Sequence, residues 1–123
     1  MRISYIDHVQ LAMPKGKEAE AAAFYAGALG LSEVVKPDAL KANGGIWFGN
    51  DSVNIHIGVE ADFRPAKKAH PALRVDDLDA LAARLEMAGF VVIWDDRLPN
   101  TQRFYSEDPY GNRIEFMVFR LKY

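Results

Sequence analysis

Three histidines and one glutamate are the residues whose types and placement could hold a metal ion. The histidines are His8, His56 and His70, and the absence of cysteine excludes thiolate sites and cysteine nucleophiles. Glu115 lies in an alternating, strand-like segment, where a buried carboxylate must be paired or must bind a metal. Together these side chains would offer nitrogen and oxygen ligands that suit Zn, Ni, Mn, Co or Fe(II).

The placement of these four residues indicates an internal repeat. His8 and His70 each lie in a predicted strand just before a predicted helix. His56 and Glu115 each lie 26 residues after a glycine that ends one of those helices. In each of the four strands, the residues that alternate with the candidate ligand are mostly apolar, so the four ligands would share the face that turns away from the helices.

Periodicity and turn residues place these candidates on a repeated order of elements, β-α-β-β-β. The predicted strands cover residues 3–13, 31–35, 45–49, 52–59, 69–75 and 90–94, the predicted helices cover 17–29 and 78–88, and a hairpin covers 103–118. The result is an α+β chain that forms a single domain over residues 1–123. Module one covers 1–59, a linker covers 60–68, and module two covers 69–123.

Composition limits the functional classes. The 123 residues suffice for one domain, and the net charge of −2 without a long basic run gives no indication of nucleic-acid binding. The N-terminus has no apolar signal core, and the most apolar stretch, residues 21–31, is too short to span a bilayer. We therefore expect a cytoplasmic, soluble protein that does not bind membranes.

Three further residues are candidates for contacts with a small-molecule substrate. Arg103 and Tyr105 share one face of their strand, and if that face lines a cavity, Arg103 could orient an oxyanion. Trp47 could line an apolar pocket wall, and packing in the core is an equally good interpretation. Glu115 also has an alternative interpretation, as an exposed strand residue that pairs with Arg113 or Arg74.

Several motifs resemble those of the vicinal oxygen chelate superfamily, which includes glyoxalase I, fosfomycin-resistance proteins, extradiol dioxygenases and bleomycin-binding proteins. The similar segments cover nearly the whole chain. They are Asp-His-Val-Gln-Leu at 7–11, Phe-Tyr at 24–25 followed by Leu-Gly-Leu at 29–31, His-Pro-Ala-Leu-Arg-Val at 70–75 and, most specific, Phe-Tyr at 104–105 with Asp-Pro-Tyr-Gly-Asn-Arg-Ile-Glu at 108–115.

The resemblance implies two βαβββ modules that form a curved mixed sheet around a cavity, with the helices on the outer face. It implies that His8, His70 and Glu115 bind a divalent metal. His56 stands where glyoxalase I-like members carry a glutamate, so His56 is a metal ligand, a base or a substrate contact. The resemblance also implies a homodimer, with Glu115 and His56 as the candidate catalytic residues.

The function expected from this resemblance is a metal-dependent enzyme that chelates a small, oxygen-rich molecule. A glyoxalase-type lyase or isomerase, a dioxygenase and a thiol transferase all remain open. The alternative is a metal-free protein that binds and sequesters a small molecule of the antibiotic type. The joint presence of His8, His70 and Glu115 favours the enzyme.

Overall fold

A computed structural model describes residues 1–120 and shows an α+β fold with two four-stranded mixed sheets. The chain divides into two compact units, the first over Met1–Arg64 and the second beginning at Pro65. The last three residues of the predicted second module lie outside the described residues. Within residues 1–120, no helix is both long and apolar enough to cross a bilayer.

The first unit contains four strands and three short helical segments. Its elements are β1 (Val9–Met13), α1 (Glu18–Ala21), a π-helical continuation (Ala22–Ala28), β2 (Ser32–Val34), α2 (Asp38–Lys41), β3 (Ile46–Gly49) and β4 (Asn54–Val59). The strand order is β1-β4-β3-β2, with β1 parallel to β4 and the other pairs antiparallel. The buried rings of Phe24 and Tyr25 come from the π-helical segment, and Tyr25 stacks on Phe48 of β3. This contact fixes the helix on one face of the sheet.

The second unit repeats the same arrangement. Its elements are β5 (Ala72–Arg74), α3 (Leu78–Met87), β6 (Ile93–Asp95), β7 (Thr101–Glu107) and β8 (Arg113–Phe119), with strand order β5-β8-β7-β6. The Asp77 carboxylate accepts a hydrogen bond from the Ala80 backbone N–H and caps α3. The apolar stripe of α3 is buried at Leu78, Leu81, Ala82 and Leu85. The predicted α+β class and the repeated strand pattern are therefore confirmed.

The turn between β7 and β8 is held by two buried polar side chains. The Asp108 carboxylate accepts hydrogen bonds from the backbone N–H groups of Tyr110 and Asn112 at 3.0 and 2.9 Å, and from the Asn112 side-chain amide at 3.0 Å. The Asn112 side-chain oxygen accepts a hydrogen bond from the Ala66 N–H at 3.0 Å. These contacts satisfy two groups that would be costly to bury alone, and they tie the hairpin to the start of the second unit.

The six strands predicted outside the hairpin are all shorter in the structure, most of all those at 3–13 and 69–75, and one helix is absent from the predictions. The strand predicted over 3–13 is wrong for residues 3–8, because in the register of β1 with β4 the partners of residues 3–7 would lie before Asn54, where β4 begins. The strand predicted over 69–75 shrinks to β5, so His8 and His70 both precede their strands. The unpredicted helix is α2, a single turn that follows Pro37.

Candidate metal centre

His70 and Glu115 are brought together in the second unit. The Nε2 atom of His70 lies 3.0 Å from Oε1 of Glu115. Glu115 is buried in the middle of β8, and its backbone N–H donates to the carbonyl of Pro71, next to His70. The parallel pairing of β5 with β8, which places Ala72 beside Glu115, accounts for this proximity.

The other nitrogen of His70 determines which proton the ring carries. Nδ1 lies 2.8 Å from the Lys68 carbonyl, which can only accept, so Nδ1 is the donor. In the neutral ring, Nε2 then carries a lone pair that faces the oxygen of an ionised Glu115. Two acceptors at this distance need a proton or a cation between them. An imidazole held through Nδ1–H by a carbonyl is also the usual arrangement of a metal-binding histidine.

Arg103 binds the second oxygen of Glu115. Its Nη1 donates to Oε2 of Glu115 at 3.2 Å, while Nε and Nη2 donate to Oδ1 of Asp95 at 3.3 and 3.1 Å. Burial lowers the pKa of Arg103, but the hydrogen bonds to Asp95 and Glu115 outweigh this effect, and the pKa is raised. The guanidinium predicted to contact substrate is thus already engaged by two carboxylates.

Tyr105 lies beside this network. It pairs with Glu115 across β7 and β8, and its buried ring meets the His70 ring edge-on at 5.5 Å between centroids. The guanidinium carbon of Arg113 lies 3.8 Å from the centre of the Tyr105 ring. Arg113 therefore packs on Tyr105, whereas Glu115 pairs with Arg103, so the alternative of an exposed Glu115 paired with Arg113 or Arg74 is wrong.

The first unit stacks three rings. His56 lies between Trp47 and His8, with ring centroids 3.8 and 4.1 Å away and interplanar angles of 4° and 17°. Nδ1 of His8 lies 2.9 Å from a carboxylate oxygen of Asp7. Burial and then the nearby His8 ring lower the pKa of His56, which favours the neutral form of its imidazole.

The described residues contain no cluster of three or more histidine or acidic side chains arranged to hold a metal ion. The second unit joins His70 to Glu115, and the first unit joins His8 to His56 through their ring faces. The donor chemistry of His70 and Glu115 fits a divalent metal. The predicted set of His8, His56, His70 and Glu115 stays a prediction.

A cleft of about 470 Å³ adjoins the ring stack in the first unit. It lies on the sheet face of His56, because its wall includes Trp47 and Gln10, the two residues that pair with His56 across the strands. Lys36 and Asn43 add polar groups. Trp47, predicted to contact substrate, therefore lines a cleft and also packs on His56.

Sequence reasoning missed Asp95 and the carbonyl of Lys68. Asp95 stands at the end of β6, and only the pairing of that strand with β7 places it opposite Arg103. No periodicity or motif marks such a cross-strand partner. The Lys68 carbonyl is backbone, which residue types cannot reveal.

Known proteins resemble this chain over almost its full length. A crystal structure of a protein from Bacillus anthracis assigned to the glyoxalase family has 49% sequence identity and a TM-score of 0.94, with 98% of each chain covered. A variant of the fosfomycin resistance protein FosX from Listeria monocytogenes, complexed with Mn(II) and dihydroxypropylphosphonic acid, has 17% identity and a TM-score of 0.79 over 98% of this chain and 95% of FosX.

An antibiotic-binding protein from a Streptomyces species has 22% identity and a TM-score of 0.73 over 97% of this chain and 98% of its own. No curated protein matches the chain. Residues 5–116 match the family model described as Glyoxalase/Bleomycin resistance protein/Dioxygenase superfamily. The chain therefore belongs to this superfamily.

Proposed function

We propose that the protein is a metal-dependent enzyme that acts on a small, oxygen-rich molecule. The observation that carries the proposal is the 3.0 Å approach of His70 Nε2 to Glu115 Oε1, with Nδ1 of His70 donating to a backbone carbonyl. This arrangement presents one nitrogen and one oxygen ligand. The FosX structure with Mn(II) supports the choice of a divalent metal.

His70 and Glu115 would hold the metal, and the family resemblance adds His8 as a third ligand. A bound divalent metal supplies a Lewis acid that stabilises an oxyanion or enolate of the substrate. Zn, Ni, Mn, Co and Fe(II) all accept such ligands. The choice among lyase or isomerase, dioxygenase and thiol-transferase chemistry depends on which metal the protein carries.

His56 is the chain's best candidate for moving a proton. Burial and the neighbouring His8 lower its pKa, so the imidazole has a free lone pair at pH 7 and can accept a proton from a bound molecule. Trp47 holds one face of the ring. Glu115 is the second candidate, because one of its carboxylate oxygens faces His70 rather than Arg103.

The test is metal content after reconstitution with Mn(II), Zn(II), Ni(II), Co(II) or Fe(II), measured by elemental analysis. We expect stoichiometric metal in the wild-type protein and a loss of at least tenfold in affinity in His70→Ala and Glu115→Gln. Glu107→Gln is the matched control, since Glu107 also lies in the hairpin but pairs with Lys67 at the surface. Full metal content in His70→Ala would show that the proposed site is wrong.

A second candidate function is metal-free binding of a small molecule of the antibiotic type. It is favoured by the cleft beside Trp47 and by the likeness to an antibiotic-binding protein. In a Trp94→Phe background, Trp47 is the single tryptophan, so quenching of its fluorescence would report ligand binding. Quenching by a ligand in the presence of EDTA, with no metal bound by the wild-type protein, would favour this function over the enzyme.

The resemblance also leads us to propose a homodimer in the cytoplasm. Light scattering coupled to size-exclusion chromatography measures the mass directly. A mass near 13.8 kDa, that of a single chain, at micromolar concentration would overturn the dimer.

A further inference from the structure

The guanidinium of Arg103 is shared between two carboxylates in the second unit. Three of its five N–H donors are used, two toward Asp95 and one toward Glu115. The exposed fractions of the side chains are 15% for Arg103, 12% for Asp95 and 7% for Glu115. A guanidinium fixed by a fork of hydrogen bonds in a nearly dry site loses little freedom when it binds a further carboxylate.

We propose that Asp95 and Arg103 are positioning residues for Glu115. Asp95 fixes the plane of the guanidinium, and Arg103 then holds Oε2 of Glu115, so that Oε1 alone is presented beside His70. This inference rests on the proposed function, because it assigns a purpose to the metal-binding oxygen of Glu115.

The two oxygens of Glu115 have different partners, which is what positioning requires. Oε2 lies 3.2 Å from Arg103 Nη1, and Oε1 lies 3.0 Å from His70 Nε2. Without Arg103, the carboxylate could rotate about its last bond and exchange the two oxygens, or present both to one metal ion. The arginine would therefore favour a contact between a bound metal and a single oxygen of Glu115.

The first unit shows what the same positions hold when no carboxylate is present. Glu115 pairs across the strands with Tyr105, and His56 pairs with Trp47 in the same register. Two residues before the aromatic residue, the second unit has Arg103 and the first unit has a glycine. The arginine accompanies the carboxylate and is absent where the counterpart is an imidazole, so the first unit forms the same βαβββ arrangement without it.

The experiment measures the affinity for Mn(II) by isothermal titration, together with the melting temperature, in Asp95→Asn and Arg103→Lys. We expect both variants to bind Mn(II) about 10- to 100-fold more weakly, the range for residues that orient metal ligands. Lysine keeps the charge but has no fork, so it cannot hold Asp95 and Glu115 together. The double variant should bind no more weakly than Arg103→Lys, because both changes break one unit.

Arg97→Ala is the matched control. Arg97 also pairs with Asp95, at 2.6 Å, but its side chain is 74% exposed and it has no contact with Glu115 among those in the described structure. We expect its Mn(II) affinity to stay within twofold of the wild-type value. A loss as large as that of Asp95→Asn would indicate a general effect of charge and would overturn the positioning role.

The remaining outcomes of the experiment also distinguish between the positioning role and its alternatives. Wild-type binding with unchanged affinity in Asp95→Asn and Arg103→Lys would overturn this inference and leave the proposed function intact. A loss of affinity that scales with a fall in melting temperature would show a structural role only, and would overturn it as well. A wild-type protein that binds no divalent metal would instead refute the proposed function, and this inference with it.

Discussion

Gly45 holds a backbone conformation that would be strained for any residue with a side chain. Its φ is +85°, and a Cβ atom there would lie 2.4 Å from the carbonyl oxygen of Ile57. The left-handed conformation alone costs a side chain about 1–2 kcal/mol, and the contact with backbone adds to it. The close approach of β3 to β4 therefore depends on a missing side chain.

Replacement of this glycine gives a prediction with a built-in control. We expect Gly45→Ala to lower the free energy of unfolding by about 3 kcal/mol or more. Gly30→Ala should cost only about 1–2 kcal/mol, because Gly30 has a φ of +78° but no atom within 4 Å of an added Cβ. Urea denaturation measures both. Equal losses in the two variants would show that the contact with Ile57 does not matter.

Single residues also show how far the site can be read from the sequence. His70 and Glu115 could be paired in advance, because their counterparts stand at repeated positions and a buried carboxylate needs a partner. The ring stack of His8, His56 and Trp47 could not, since face-to-face packing depends on side-chain angles that periodicity does not encode. Asp95 was not predicted for a similar reason, because only the register between β6 and β7 places it opposite Arg103.

At the level of elements, the β7–β8 hairpin depends on side chains rather than on its turn sequence alone. Asn112 donates hydrogen bonds from its backbone N–H and its side-chain amide to Asp108, and its side-chain oxygen accepts one from the N–H of Ala66. The backbone of Arg113 adds a further bond to the Ala66 carbonyl at 2.9 Å. Asn112 thus joins the hairpin to a segment 46 residues earlier in the chain.

Removal of this side chain should be costly, because it takes one hydrogen bond from the Asp108 carboxylate and the acceptor from the Ala66 N–H. We expect Asn112→Ala to lower the free energy of unfolding by about 2–4 kcal/mol. The exposed Asn43 serves as the control, and Asn43→Ala should change stability by about 0.5 kcal/mol or less. Thermal or urea denaturation distinguishes them. A cost below about 1 kcal/mol for Asn112→Ala would show that water replaces the lost contacts.

The elements themselves were predictable where a partner strand or a helix cap is written in the sequence. Asp77 marks the start of α3, and the alternation in β4 matches its buried residues, Ile55 and Ile57. In β8 the alternation matches less well, because Glu115 is buried together with its neighbours Ile114 and Phe116. The alternation of residues 3–8 was misleading, because alternation shows only that a segment could be a strand. A strand also needs a neighbour, and in the observed register the partners of residues 3–7 would lie before the first residue of β4.

For the whole molecule, the internal repeat explains why so much of the fold could be predicted from the sequence. Each unit places its first strand parallel to its last, and the strand orders β1-β4-β3-β2 and β5-β8-β7-β6 are equivalent. The equal spacing from helix-ending glycine to candidate ligand already implied this equivalence. Within that shared frame, the first unit holds two stacked imidazoles, and the second holds a carboxylate bound to arginine.

The second unit also pairs Asp95 with Arg97 and Arg103, and this pairing leads to a prediction about the stability of the whole protein in acid. Hydrogen bonds from Arg97, and then from Arg103, hold the pKa of Asp95 well below its ordinary value of 3.8. The folded protein therefore binds the Asp95 proton less readily than the unfolded chain does. The stability that Asp95 contributes is fully present above about pH 4–5, and it is lost as the pH falls below 3.8.

Unfolding by urea at a series of pH values from 7 to 2 measures this contribution, as the difference between wild-type protein and Asp95→Asn. We expect a constant difference from pH 7 to about pH 5, and a shrinking one below pH 4, because the unfolded chain then takes up the Asp95 proton more readily than the folded protein does. Asp38→Asn is the control, since that carboxylate is 95% exposed and its ion pair with Lys41 should contribute little at any pH. If the difference between wild type and Asp95→Asn stayed constant down to pH 2, the Asp95 carboxylate would not be what stabilises the fold, and the hydrogen bonds to Arg97 and Arg103 would have no net effect.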